Sequence, residues 1–519
     1  MYIEPNSYIR LMKNIPLDNT YTDTLFFTSR ANQLNYFRNN TTGMNFTAQS
    51  YQRVIRDGLR YIRLQVNAEN IYDYNYLMFQ NTAFGNRWFF AFINNIEYIN
   101  NNTSEINFEL DVMQTWLFDV TLGASYVERE HFSEDTVGMN IQPEPIEIGP
   151  IQCNAVTSTG WFDDLYIVLA TTTSSQNHGL VGGMYGAVDY SYAELSSAGS
   201  ALMQARINTL VESNKMDSIV AVFIMPAKFI PSSGGGSGDL PWSSEPQSRS
   251  ISIPRPTTCG NYTPRNNKLL TAPYTFLCVD TLNDARNYRF EWSRDANNIS
   301  FTAIGSITPD PAITFYPTNY NGAWTNLVQT VGKNPTESVT LRGFPQCAIA
   351  IDAYKAWLAQ GAVSDGLNVM QSAITAGAGV VSGYVPMAMH GATGIMQGIN
   401  NAVVAATAGA RPRGVQGGDP DVVSGQKEAY FKYMSVTEEY AEIIDDYFDR
   451  YGYACNQLKI PNRNARAHWT YCKTHDCNLE GSAPADDLKK MKSIYDNGIT
   501  WWNNPSEVGH YELLNTPNG

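Results

Sequence analysis

Between Asp365 and Arg411 the sequence runs for 45 residues without one Asp, Glu, Lys or Arg. Such a stretch has no charged face to present to water, so it must be covered by protein or enter lipid. Pro386 divides it into two arms, 366–385 and 387–410, each close to the ~20 residues that cross about 30 Å of hydrocarbon. We expect a helical hairpin, or a pair of long loops, that turns near this proline.

The two arms are rich in Gly and Ala and only moderately hydrophobic. The patterns Gly379–Gly383 and Gly394–Gly398 would let helices approach closely. This composition suits a segment that packs among its own copies first and enters a membrane later. The residues expected to be membrane-active are Leu367, Val369, Met370, Ile374, Gly379, Val380, Val381, Gly383, Val385, Pro386, Met387, Met389, Gly394, Ile395, Met396, Gly398, Ile399, Val403 and Val404. The alternative is a hairpin buried in a large core.

The rest of the sequence predicts a mainly β protein with a few helices. A chain of 519 residues is too long for one core, and its polar residues are Asn, Thr, Ser and Tyr more than charged ones. The formal charge of −14 disfavours a protein that holds nucleic acid. The same charge suits a protein that DNA passes without sticking. The first ten residues lack the pattern of a secretory signal, so we expect assembly in a reducing cytoplasm.

Alternating residues predict antiparallel hairpins in the first 150 residues. An Asp57-Gly58 turn joins two short strands, and a longer hairpin joins 88–99 to a strand with Ile106, Phe108, Leu110 and Val112 on one face. The opposite face carries Asn107, Glu109 and Asp111. A proline-rich linker follows at 142–150.

Residues 151–340 predict a separate β-rich unit. Two buried strands are expected within 161–172 and 218–230, and a meander is expected at 274–307. The run 232–238 is typical of a flexible spacer, and 351–360 is typical of a helix.

Two further helices are predicted near the C-terminus. Ser435 and Glu438 form a capping-box pattern before a helix that ends at Gly452, and its apolar stripe is Val436, Tyr440, Ile443, Tyr447 and Tyr451. The second helix starts near Pro484, carries Leu488, Met491 and Ile494, and stops at Asn497-Gly498.

No arrangement of residues indicates catalysis or a cofactor. His468, Cys472, His475 and Cys477 cluster, but a structural zinc site wants a second ligand pair at a distance, so packed residues are the favoured interpretation. The acidic pairs Asp163-Asp164, Glu438-Glu439 and Asp445-Asp446 invite comparison with glycosidase carboxylates, yet solvated charge is the default for those on a helix flank. We therefore expect no enzyme, no metal and no cofactor.

Several long motifs resemble one family. The runs Phe79–Asp119 and Val127–Phe132, together with Ile15–Phe37 and Arg450–Trp502, resemble the tail knob proteins of small short-tailed phages of Gram-positive bacteria. These are the distal tail tube proteins of podoviruses. The resemblance covers about the first 135 and the last 95 residues, in the same order.

The resemblance implies a virion protein that forms a homohexameric tube for genome ejection. It implies a discontinuous tube domain of 1–150 and 341–519, a knob insertion of 151–340, and a hydrophobic plug of 361–415 that leaves the tube and penetrates the host membrane. The implied partners are copies of the chain, an upstream tail or collar protein, the host membrane, and viral DNA passing without sequence-specific binding. The alternatives are a pore-forming toxin, which a missing signal disfavours, and a tail-associated cell-wall hydrolase.

Overall fold

The computed structural model describes residues 6–39, 41–49, 55–56, 59–172, 180–181, 184–185, 188–213, 215, 218–231, 237–240, 247–281, 288–292, 297–308, 311–318, 338–342, 344, 346–348, 416–417 and 429–518. The predicted helix at 351–360 and the uncharged segment 366–410 lie outside these residues. The described part contains several antiparallel sheets and few helices, which confirms the predicted mainly β fold class.

The strands and helices follow in chain order. The N-terminal strands are β1 (Ser7–Lys13), β2 (Asp23–Leu25), β3 (Gly43–Gln49), β4 (Ile55–Arg56), β5 (Leu59–Leu64), β6 (Tyr74–Asn81), β7 (Trp88–Asn100), β8 (Thr103–Leu110), β9 (Val120–Leu122) and β10 (Ser125–Glu130). The middle strands are β11 (Ile151–Ser158), β12 (Leu165–Thr171), β13 (Leu180–Val181), β14 (Met184–Tyr185), β15 (Asp189–Glu194), β16 (Ile219–Pro226), β17 (Ser237–Leu240), β18 (Ser248–Pro254), β19 (Thr275–Asp280), β20 (Tyr288–Phe290), β21 (Asn298–Ser306), β22 (Ala312–Pro317), β23 (Val339–Leu341), β24 (Gln346–Ala348), β25 (Gln416–Gly417) and β26 (Tyr430–Val436). The C-terminal strands are β27 (Tyr453–Lys459), β28 (Trp469–His475), β29 (Leu479–Gly481) and β30 (Ile499–Trp502). The α-helices are α1 (Arg30–Asn39), α2 (Val112–Trp116), α3 (Ser197–Glu212), α4 (Glu438–Tyr451) and α5 (Ala485–Asn497), and 3-10 turns occupy Ala68–Asn70, Thr82–Phe84, Ala227–Phe229, Asn267–Leu270 and Pro505–Glu507.

The chain forms two compact units. The first consists of Met1–Gly149, Asn261–Leu269 and Glu438–Gly519, and the second of Pro150–Gly260 and Leu270–Thr437. The chain therefore passes from one unit to the other four times. Described residues between 341 and 437 fall in the second unit, whereas the resemblance implies a tube domain that groups them with the chain ends. The roles of tube and knob stay predictions.

A seven-stranded antiparallel sheet forms much of the first unit, in the order β3-β1-β6-β7-β8-β5-β4. The predicted hairpin is confirmed, because β7 pairs with β8 and sets Ile96 opposite Ile106. Its apolar face is buried as expected, with Phe108 and Leu110 each 2% exposed. Strands β4 and β5 pair Arg56 with Leu59, as a two-residue turn requires, while positions 57–58 lie outside the described residues.

The end of this hairpin differs from the alternating pattern. Asp111, predicted on the polar face, is only 1% exposed. Its carboxylate accepts hydrogen bonds from the Gln114 N–H at 3.0 Å and from the Tyr76 hydroxyl at 2.7 Å. The first of these bonds caps α2, so Val112 begins a helix instead of extending the strand.

A five-stranded sheet in the first unit draws on both ends of the sequence, in the order β2-β30-β28-β10-β27. Strand β2 runs parallel to β30, and β10 lies between β28 and β27. Trp469, Trp501 and Trp502 of this sheet are completely buried and belong to one core with the seven-stranded sheet. Residues more than 470 positions apart therefore share a hydrophobic core.

The two C-terminal helices confirm part of the prediction. Helix α5 buries Met491 and Ile494 and ends before Gly498, whose φ of 93° favours glycine. Helix α4 ends before Gly452 as expected, with φ 66°, and an added Cβ there would lie 2.2 Å from the Glu130 carbonyl oxygen.

The start and the buried face of α4 were predicted wrongly. The helix begins at Glu438, and Ser435 lies buried in β26 with its hydroxyl bonded to the Val436 carbonyl, so it caps nothing. Ile443 is 57% exposed. The buried residues are Ala441, Ile444, Asp445, Phe448 and Asp449. The prediction failed because the buried face includes the carboxylates of Asp445 and Asp449. The pattern of apolar residues alone predicts that charged side chains face solvent.

The second unit contains three larger sheets, with the orders β17-β15-β12-β16-β24-β25, β11-β26-β19-β20 and β18-β21-β22-β23. Strands β12 and β16 are buried along nearly their whole length, which confirms the two predicted buried strands. Phe223, Phe301 and Phe431 lie together in its core.

Two local predictions in the second unit were wrong in part. Strands β19 and β20 pair as the first half of a meander, but β21 pairs with β18 and β22 in a different sheet. The strict alternation of β21 fits any antiparallel neighbour, so the local pattern does not encode the partner. Of the predicted spacer 232–238, Ser237 and Gly238 begin strand β17, and 232–236 lie outside the described residues.

Candidate functional site

The residues predicted to be membrane-active, from Leu367 to Val404, all lie outside the described residues. None of the helices in the described part has the length and apolar content needed to cross a membrane. The described part instead contains a concentrated buried polar site in the first unit. There helix α4 and strand β27 hold the short stretch 261–269, here called the returning segment, which interrupts the second unit in sequence.

Asp445 is the centre of this site. Its carboxylate is fully buried and accepts four hydrogen bonds, all from the returning segment. Oδ2 receives the Tyr262 hydroxyl at 2.8 Å and the Arg265 N–H at 2.6 Å. Oδ1 receives the N–H and the side-chain amide of Asn266 at 3.0 and 2.8 Å. Burial raises the pKa of Asp445, and the hydrogen bonds it accepts act in the opposite direction.

One guanidinium lies among three carboxylates of α4. Arg265 contacts the exposed Asp446 directly, and its Nη1 lies 3.1 Å from Oδ2 of Asp449. Asp449 is one helical turn from Asp445, so the two carboxylates share a face. Burial raises the pKa of Asp449 to about 6, although the charge of Arg265 lowers it. The returning segment is therefore held by charge as well as by backbone donors.

A second buried carboxylate, Glu144, binds the other end of the returning segment. Glu144 contacts Lys268 and Arg129, and all three side chains are at most 8% exposed. It also accepts the Ala454 N–H at 2.8 Å. Burial lowers the pKa of Lys268, and its attraction to Glu144 acts against that change. Glu144 belongs to the stretch predicted as a simple linker, so this part of the linker is a fixed element of the first unit.

Asp135 adds a third anchor. Its carboxylate accepts the Asn267 N–H at 3.0 Å and the Tyr453 hydroxyl at 2.8 Å. At the helix start, Glu438 accepts the N–H and the side-chain amide of Asn261, each at 2.9 Å. Carboxylates thus bind the returning segment from its first residue to Lys268.

His131 completes the site as a neutral group. Its Nδ1 accepts the Tyr471 N–H at 2.8 Å, and its Nε2 lies 3.0 Å from the Asp449 carbonyl oxygen, to which it donates in that tautomer. Burial lowers the pKa of His131 to about 3. This histidine joins β28 to the end of α4 and carries no charge at neutral pH.

The carboxylates of this site bind cationic side chains and N–H donors of the same unit. Asp445, predicted as part of a solvated pair, is buried, whereas Asp163 and Asp164 are exposed. Within the described ranges, no three His, Cys, Asp or Glu side chains are placed to hold a metal ion. Of the candidate zinc residues, Cys472 and Cys477 are buried, and His468 Nδ1 lies 2.8 Å from Glu507 Oε2.

The sequence contained one signal for this site. Asp445 and Asp449 are spaced by four residues and alternate with Ala441, Ile444 and Phe448, so they lie on the apolar face of α4. Carboxylates in that position require bound donors. The polar run at 261–268 supplies them, but it lies about 180 residues away in sequence.

We expect Asp445→Asn to loosen the returning segment. The new NH₂ group would face backbone N–H donors, and such a clash costs about 2–4 kcal/mol of unfolding free energy. Hydrogen–deuterium exchange of peptides covering 261–269 measures the effect, and faster exchange is expected. The control is Asp446→Asn, at a carboxylate that is 66% exposed. Equal exchange in both variants would show that Asp445 does not hold the segment.

The raised pKa of Asp449 predicts that the stability of the first unit depends on pH. Its raised pKa of about 6 means that the folded state binds the proton more tightly than the unfolded chain. Its contribution therefore favours folding below about pH 4 and is lost as the pH rises through about 6. Asp449→Asn cannot ionise, so its stability relative to the parent chain should rise by about 1–3 kcal/mol from pH 4 to pH 7. Urea unfolding followed by tryptophan fluorescence measures this difference, and a constant difference at both pH values contradicts it.

Two family models match the sequence. The model described as the C-terminal domain of the tail knob protein gp9 of Bacillus phage phi29 matches residues 243–516, more than half of the chain. The model of the caudoviral major tail protein N-terminus matches residues 5–121.

Relatives match over nearly the whole length. The tail knob protein gp9 of Bacillus phage PZA is 23% identical and that of Bacillus phage B103 is 24% identical, each over 98% of both chains. The structure of the bacteriophage C1 tail knob protein gp12 has the same fold, with a TM-score of 0.64 at 15% identity, over 97% of this chain and 98% of that one. These matches confirm the resemblance read from the motifs. The chain belongs to the tail knob protein family of short-tailed phages and is a structural component of the virion tail.

Proposed function

We propose that six copies of this chain form a tube at the distal end of the tail through which the genome leaves. In this proposal residues 366–410 of each copy plug the tube, and on ejection they exit and penetrate the host membrane. The observation that carries the proposal is the 45-residue stretch without a charge. A stretch of that length needs cover from neighbouring copies in water and becomes stable without them in lipid.

We assign the tube to the first unit and the knob to the second. The first unit carries the core that joins both ends of the chain. The returning segment, fixed by Asp445 and Glu144, gives the second unit a third and a fourth covalent connection to it. Such connections suit a tail component that must resist mechanical load. The number six rests on the family resemblance.

Apolar side chains at a sheet edge support contacts between copies. Among the described strands, β27 pairs only with β10, so it is an edge strand. Leu458 and Ile460 are 74% and 61% exposed there, and Tyr126 lies opposite Leu458 on β10. Edge strands with apolar side chains readily bind another chain. We assign this edge to the contact between neighbouring subunits.

The charge balance supports passage of DNA without binding. The chain carries 49 Asp and Glu against 35 Lys and Arg. Nucleic-acid binding depends on clustered cations that replace counterions on phosphate. A bore lined by an acidic subunit repels phosphate, so DNA slides through it. The other partners in this proposal are an upstream tail or collar protein and the host membrane.

We propose no catalytic step for this chain. The relatives are named tail knob proteins. The buried carboxylates of the first unit are bound to backbone and cationic donors, so they are not poised as general acids or bases at an open cleft.

We expect the uncharged segment to be required for membrane damage. A variant in which 366–410 is replaced by a Gly/Ser linker of equal length should still form rings in electron micrographs. It should release little dye from liposomes, because the linker has no affinity for hydrocarbon. The parent chain is the control and should release dye. Equal release from both proteins would refute the membrane role, whereas loss of rings would refute the assignment of the tube to the rest of the chain.

The glycine pattern in the arms gives a second prediction. Gly379→Leu with Gly394→Leu should hinder close packing of the arms, because large side chains hold helix backbones apart. We expect dye release to be impaired or the plug to be lost early, as measured by leakage and by susceptibility of the segment to protease. The matched control is Ala378→Leu with Thr393→Leu, one residue before each glycine and outside the two Gly-xxx-Gly patterns. Identical behaviour of the two double variants would contradict a packing role for the glycines.

A further inference from the structure

Helix α1 and the C-terminal loops of the first unit surround a cavity of about 530 Å³. Its lining includes Phe27, Asn32, Tyr36, Asn464, Asn503 and Asn518. Pockets of about 300–1,000 Å³ hold small organic molecules in other proteins. This volume therefore admits a ligand of one or two rings.

None of the lining residues carries a charge at neutral pH. A charged ligand would find no side chain of opposite sign in this lining. The cavity therefore favours a neutral ligand. Phosphate groups, divalent cations and acidic peptides are poor candidates.

Each asparagine side chain in the lining uses part of its hydrogen-bonding capacity within the protein. Asn518 donates to Asn464 Oδ1 at 3.0 Å, and Asn32 donates to Thr28 Oγ1 at 2.9 Å. Asn503 donates to the carbonyl oxygens of Arg466 and Ala467. These bonds fix the orientation of the amides before any ligand arrives.

Two of these amides keep an atom available within the described residues. Oδ1 of Asn32 accepts no hydrogen bond there and the Nδ2 group of Asn464 donates none, whereas the unpaired Oδ1 of Asn503 is buried. The lining thus offers both acceptors and donors side by side. Hydroxyl groups match such a surface because each of them donates and accepts.

Two aromatic rings supply the apolar part of the lining. Phe27 and Tyr36 lie 5.8 Å apart between ring centroids, inclined by 37°, and both are half-buried. The faces of aromatic rings carry partial negative charge and attract polarised C–H groups. A ligand for this cavity therefore combines a C–H face with a rim of hydroxyls.

A pyranose sugar has this combination and carries no charge. We propose that the cavity is a binding site for a neutral saccharide unit, with the rings of Phe27 and Tyr36 against its C–H face and the amides of Asn32 and Asn464 on its hydroxyls. None of the lining residues belongs to the uncharged segment, so the site would give the tail a sugar contact in addition to the proposed tube and plug.

The test uses saturation-transfer NMR on the purified full chain with chitobiose, maltose and cellobiose as neutral probes and glucose 6-phosphate as the charged comparison. At least one neutral disaccharide should bind with a dissociation constant of about millimolar size, and the phosphate should bind more weakly. No transfer to any of the three disaccharides, or preferential binding of the phosphate, overturns the proposal.

Two variants locate the binding. Asn32→Ala and Tyr36→Leu should each weaken binding of the active sugar by about fivefold to tenfold. The matched control is Asn35→Ala, an exposed amide on the same helix that does not line the cavity. If Tyr36→Leu fails to fold, Asn32→Ala decides alone, since its side chain is exposed. Unchanged affinity in Asn32→Ala would refute the sugar site. Loss of rings together with no sugar binding would also refute it and would identify the cavity as a contact between copies.

Discussion

The arrangement of the first unit depends on the hydrogen bonds between the buried carboxylate of Asp445 and the returning segment. Four donors from one short stretch of chain converge on this carboxylate. Without them the charge would lie in a low-dielectric interior without compensation, which costs several kcal/mol. Without the carboxylate, two backbone N–H groups would lose their acceptor. Helix α4 and the returning segment therefore stabilise each other, because each supplies the hydrogen-bond partners that the other needs.

The neighbouring buried groups extend this dependence. Glu144 binds Lys268 and Arg129, and Asp135 binds Asn267 and Tyr453. A buried polar network is stable only if its members are satisfied together, since each unmet group is penalised. The network consequently specifies one register for chain segments that are far apart in sequence. An apolar core of the same volume would specify that register less strictly, because apolar contacts are not directional.

The sequence predicted those features whose causes are local. The hairpin of β7 and β8, the end of α4 at Gly452 and the span of α5 follow from alternation, turn chemistry and glycine at positive φ. The buried face of α4 did not follow, because Asp445 has its partners about 180 residues away and looks like solvated charge by itself. The partner of β21 was missed for a related reason, since strand alternation specifies a face and not a neighbour. The sequence did not predict the cavity beside α1 either, because its lining residues come from both ends of the chain.

The parallel pairing of β2 with β30 has a consequence for synthesis. Leu25 meets Trp502, so the second strand of the chain waits for nearly the last one to be translated. Until then Trp501 and Trp502 are missing from the core, and the sheet that joins β10, β28 and β30 is incomplete. A nascent or prematurely terminated polypeptide therefore cannot finish its first unit.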